Sequence, residues 1–226
     1  MNSSLRGALA LLGAAIVGLS VLISIDDRAI GDGGSLDQPR ITAAQRDASA
    51  TYASAVPPRD RQWIEAAIAA ARPEAQQLIA EVDGLVSYEV HRGDPLGVTR
   101  SRVSPAGASF EVSFDVNSLD GDRGQDRTVT VLHEYGHVID LAIVPQALDT
   151  RLQQGIPRTG GCGNYGGTMI GACAAPAERF ADTFAKWALR GSVSEVGAGY
   201  HVANPPSLED WGAPLSALSI RLSAER

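Results

Sequence analysis

Residues 128–141 read TVTVLHEYGHVIDL and hold His133, Glu134 and His137 in the pattern H-E-x-x-H. On a helix, positions four apart share a face, so the two imidazoles can offer ring nitrogens to one cation at about 2.0–2.1 Å, half of a tetrahedral zinc site. Glu134, one step round the helix, is then placed to take the proton of a metal-activated water as it attacks a carbonyl. Two His and a Glu at this spacing also occur on ordinary amphipathic surface helices. Here Val129, Leu132, Val138 and Ile139 surround the helix with apolar positions that would bury the His pair, and buried imidazoles need partners. The whole chain has four His, and two of them stand in this pair.

Upstream, residues 85–91, 97–103 and 109–116 change to a period near two. The alternation is clearest where Phe110, Val112, Phe114 and Val116 interleave with Glu111, Ser113 and Asp115. Three strands in one small, mostly antiparallel sheet are expected, with helices packed on it. Residues 117–125, NSLDGDRGQ, are turn-rich and acidic, but they lack the EF-hand order and its terminal Glu, so they read as a solvated loop and not a calcium site. Asp126 then stands where the H-E-x-x-H helix needs an N-cap. Further back, residues 59–71 carry Trp63, Ala67 and Ala70 at helical spacing, and Pro73 opens a second packing helix that Gly84 stops.

Downstream, a short helix over 146–154 leads into a loop with seven glycines from Gly155 to Gly171. That stretch and its end hold both cysteines of the chain, Cys162 and Cys173. In an exported protein two Cys at this spacing predict a disulfide, closing a loop for about 2–3 kcal/mol. Pro176 starts a further helix, in which Phe180, Phe184 and Trp187 form a core stripe and Gly191 marks the end. Glu178 and Asp182 lie one turn apart on another face and would repel each other unless a cation or donors stand between them.

The frame is a chain of 226 residues, 44% hydrophobic, with formal net charge -7. That length supports one sizeable core, and the acidic balance gives no footing for nucleic acid or for a polybasic membrane patch. Residues 7–25 are uncharged, follow Arg6 and precede Asp26 and Asp27. The run is longer than a cleavable signal core and near the length of a membrane span. An uncleaved anchor is therefore preferred to a removed signal peptide, with the bulk of the chain outside the cytoplasm. Residues 26–45 read as a flexible tether and 46–226 as the folded domain.

His133-Glu134-x-x-His137 followed by Glu178-x-x-x-Asp182 resembles the gluzincin arrangement, in which a Glu from a second helix is the third zinc ligand. More narrowly, HEYGHVID with AERFADTFA is similar to the catalytic domain of the anthrax toxin lethal factor family. The resemblance spans residues 129–187 and agrees with the upstream sheet in outline. It implies an α+β, zincin-like fold, Zn2+ on His133, His137 and Glu178, metal ligands on two helices, and Glu134 as general base. The metzincin extension is absent, since Asp140 and Ile143 occupy its Gly and His places. Lethal-factor-like domains also use a Tyr shortly before the third ligand to stabilise the oxyanion. Here the nearest is Tyr165 in the Gly-rich loop, the first choice for that role, with Tyr200 and His201 second.

The expectation is therefore a membrane-tethered or secreted zinc metallopeptidase acting on peptide or protein substrates. Its rivals are a catalytically silent zinc-stabilised binding domain and a hydrolase of non-peptide amides. A ligating imidazole normally donates its other N–H to an acid or carbonyl, which nominates Asp182 first and Asp140 second. The strand over 109–116, directly before the metal helix, is expected to template an extended substrate.

Overall fold

The computed structural model describes residues 41–91, 97–104, 107–115, 126–165, 168–193 and 199–225. The expected anchor at 1–25, most of the tether and the loop at 117–125 lie outside the described residues. Among the described residues no helix is long and apolar enough to cross a membrane. In chain order the elements are α1 (Ala43–Arg46), β1 (Thr51–Tyr52), α2 (Pro58–Ala70), α3 (Pro73–Val82), a 3-10 turn (Asp83–Leu85), β2 (Val86–His91), β3 (Gly97–Ser104) and β4 (Gly107–Asp115). They continue with α4 (Arg127–Ala142), α5 (Gln146–Gly155), a hairpin of β5 (Cys162–Tyr165) and β6 (Thr168–Gly171), α6 (Pro176–Ala188) and α7 (Leu208–Ala224). The chain is α+β.

Local chemistry sets the helix ends. Proline occupies the start of α2, α3 and α6, where its missing N–H has no helical partner to lose. Asp126 caps α4 by accepting from the Thr128 N–H at 2.8 Å. Arg190 and Gly191, at φ 55° and 73°, close α6, and the Gly191 N–H returns to the Lys186 carbonyl at 2.9 Å. At the end of the stretch read as a tether, Thr42 and Gln45 form a reciprocal capping box on α1.

The sheet is mixed, which corrects the expectation of a mostly antiparallel one. Its order is β1-β2-β4-β3; β1 and β4 both run parallel to β2, and only β3 runs antiparallel to β4. The reason lies in β4, which is apolar on one face through Phe110, Val112 and Phe114 and also buries Ser113 and Asp115 on the other. A strand covered on both faces belongs in the centre, and the hairpin delivers it there, leaving the Arg100- and Arg102-bearing β3 at the edge. Because β4 is paired on both sides, it cannot template a substrate strand as the sequence suggested. The strand edge beside α4 is β3.

One face of the sheet packs on α2 and α4, with Trp63 set edge-on against Phe114 at 5.4 Å. Helix α4 is buried from Val129 to Ile139, lying between the sheet on one side and α6 on the other. Its polar groups are answered internally. Tyr88 donates to the Tyr135 hydroxyl at 2.7 Å, and Tyr135 donates to Asp83 at 2.7 Å, tying β2, α4 and the end of α3 together.

Candidate metal centre

The crossing of α4 and α6 depends on Gly136, inside the H-E-Y-G-H run. A Cβ there would sit 2.7 Å from the Ala181 Cα, so glycine facing alanine lets the two backbones approach. That approach brings Glu178 to the His pair. The His133 and His137 Nε2 atoms are 3.1 Å apart. Glu178 Oε2 lies 3.1 Å from the first and 3.4 Å from the second. Donors about 2.0–2.1 Å from a tetrahedral zinc stand about 3.3 Å from each other, so this separation fits. All three side chains are buried, and together they form the group able to hold a metal ion among the described residues.

Burial and mutual charge set the electrostatics of the three groups. Burial pushes His133 below its ordinary value, so its ring tends to be neutral, as a ligand must be. Burial acts on His137 in the same sense, but the Glu178 charge outweighs it and raises the imidazole. Burial alone would raise Glu178; the charge of His137 and the hydrogen bonds of both imidazoles overcome it and hold the carboxyl at about 2. Nitrogen lone pairs and a carboxylate converging in a dry space are best satisfied by a dication.

Glu134 stands beside this triad and is wholly buried. Thr99 of β3 donates to its Oε2 at 2.6 Å, while Oε1 has no partner among the described residues. A Cβ at Gly97 would run into that same Oε1. Burial raises the Glu134 carboxyl to about 7 against the opposing pull of His137 and the Thr99 hydroxyl. The group is thus a buried carboxyl held by one strand residue and given room by another. Neither Thr99 nor Gly97 is signalled by the sequence, because both meet Glu134 through a long-range strand-to-helix contact.

Asp182 is fully buried one turn beyond Glu178, but its Oδ2 accepts from Lys186 Nζ at 2.7 Å and makes no hydrogen bond to an imidazole. Asp140 sits part-buried near His137, pushed up to about 7 by burial and by Asp149, and makes no such bond either. Tyr165 lies at the turn end of β5 with its backbone paired to Thr168; its side chain is outside the described residues. Tyr200 is buried with its ring flat against His133, and His201 follows it at φ 55°. Cys162 and Cys173 form the expected disulfide, which closes the β5–β6 hairpin.

Compared with protein-family models, curated proteins and solved structures, the chain finds no match.

Proposed function

We propose that this chain is a zinc-dependent endopeptidase of zincin-like, gluzincin type. The observation that carries the reading is the convergence of three buried ligand atoms at 3.1–3.4 Å with a fourth buried group, Glu134, beside them. A silent zinc-stabilised domain has no use for a carboxylate that must be kept dry and held by Thr99. The similarity of HEYGHVID and AERFADTFA to the lethal factor family points the same way.

His133, His137 and Glu178 would hold the zinc, which when bound supplies Lewis acidity to a carbonyl oxygen and a water acidified towards a pKa of about 7. Water attacks the scissile carbonyl carbon while Glu134 takes its proton. Glu134 then delivers that proton to the leaving amine as the C–N bond breaks. Thr99 holds the carboxylate through Oε2, while Oε1 lies against Gly97 with no hydrogen-bond partner among the described residues. An extended substrate would pair with β3, whose Gly97 and Thr99 already meet Glu134. Tyr165 is assigned the oxyanion donor role. The disulfide suits an oxidising compartment, in line with an extracytoplasmic domain carried by residues 1–25.

Digestion of an unbiased peptide library by the purified protein tests the reading. The parent is expected to cleave, a chelator to stop it, and Glu134→Gln to be inert with zinc retained. Tyr165→Phe should lose about 10²–10³ in turnover. Full activity in Glu134→Gln, or zinc-loaded parent that cleaves nothing, would sink the peptidase reading.

A further inference from the structure

A metal-binding imidazole is normally oriented by donating its second ring N–H to a carboxylate, carbonyl or water. His133 departs from this: its Nδ1 is buried and has no hydrogen-bond partner among the described residues. The acid one turn beyond Glu178, where such a partner would be sought, is engaged by Lys186. What His133 has is a ring. Tyr200, wholly buried, lies parallel to it at 6° with centroids 5.2 Å apart.

Tyr200 belongs to no helix or strand, so its placement needs other restraints, and the structure supplies them from two sides. On the hairpin side, the Gly171 N–H at the end of β6 donates to the Tyr200 carbonyl at 2.7 Å. From the helix side, Lys186 Nζ donates both to Asp182 and to the Val202 carbonyl, and the Tyr200 N–H faces the same Asp182 carboxylate. Lys186 is 0% exposed. A buried ammonium is costly unless paired and hydrogen-bonded, and here its bonds fasten the segment that carries Tyr200 to the helix that carries Glu178.

We infer that Tyr200 is a positioning residue for His133, its ring fixing the imidazole in the ligating orientation, and that Lys186 is the anchor that holds Tyr200 there. The inference rests on the proposed zinc site. It is the stacked ring that faces the imidazole, so loss of the aromatic face and loss of the hydroxyl have different consequences.

The test is zinc affinity of the full chain by chelator competition, with the visible spectrum of the cobalt-substituted protein as a second readout. Tyr200→Leu should bind zinc about 10–100-fold more weakly and alter the cobalt bands, whereas Tyr200→Phe should stay within about twofold of the parent. Lys186→Met should follow Tyr200→Leu. Thermal unfolding of each zinc-free variant separates site disorder from loss of fold, and if Lys186→Met does not fold, the Tyr200 pair decides. Parent-like zinc affinity and cobalt bands in Tyr200→Leu overturn the inference, as does Tyr200→Phe binding as weakly as Tyr200→Leu. A parent that binds zinc yet cleaves no peptide removes the peptidase reading alone.

Discussion

The two walls of the candidate site are built on different principles. The helical wall, α4 against α6, is dry and continuous: every ligand atom comes from it, and Gly136 against Ala181 sets its spacing. The other side is contributed by the edge strand β3, the disulfide-closed hairpin and the segment around Tyr200, pieces distant in sequence; one hydrogen bond ties β3 to Glu134 and another ties the hairpin to the Tyr200 carbonyl. The spacing of the two candidate His ligands is thus set by helix periodicity, and Glu178 reaches them through the Gly136–Ala181 approach. Glu134 and His133 are met by long-range contacts from Thr99 and Tyr200, so the two walls should fail differently when disturbed.

The sharpest way to break the helical wall is Gly136→Val. Replacing an exposed helical glycine normally removes its penalty of about 1 kcal/mol relative to alanine. Here any Cβ meets the Ala181 backbone, so the sign reverses. We expect loss of zinc from the purified protein and a stability loss of at least about 1–3 kcal/mol by urea unfolding, the range for overpacked interiors. A variant as stable as the parent and fully loaded with zinc would mean that the helices do not need this approach.

On the strand wall, Thr99→Val keeps shape and burial but removes the hydroxyl from Glu134. A hydrogen bond to a charged group is worth about 1.5–3 kcal/mol, which translates to about 10–100-fold in turnover with zinc content unchanged. Equal losses of zinc and turnover would place Thr99 in the helical wall's class. The mildest disturbance is Cys162→Ser with Cys173→Ser. It should cost about 2–3 kcal/mol of stability. Because Gly171 remains free to bond the Tyr200 carbonyl, zinc affinity should fall by less than about tenfold, below the effect of losing an outer-shell partner outright. A collapse of zinc binding in that double variant would make the hairpin part of the ligand-holding wall.

What the sequence discloses follows the same division. His133, Glu134 and His137 are readable because a helix converts spacing into direction. Asp126, Pro176 and Gly191 are readable because caps and breakers act locally. The strand order is not, because Ser113 and Asp115 look like the solvent face of an edge strand yet are buried at 3% and 1% exposure in the centre of the sheet. Helix α7 hides behind Gly212 and Pro214; the glycine is needed because a Cβ there would strike the Trp187 indole. Lys186 stands four residues after Asp182, a spacing that reads as an ordinary surface pair. Only the fold discloses that it is buried and reaches Val202.

In the proposed site Glu178 joins the two imidazoles in holding one zinc. Metal analysis of the purified full chain tests it most directly. One zinc per chain is expected in the parent and in Glu134→Gln, and less than about a tenth of that in Glu178→Ala, because removing one of three ligands leaves a buried, incomplete site. Zinc retained at the parent level in Glu178→Ala, or absent from the parent, would contradict it.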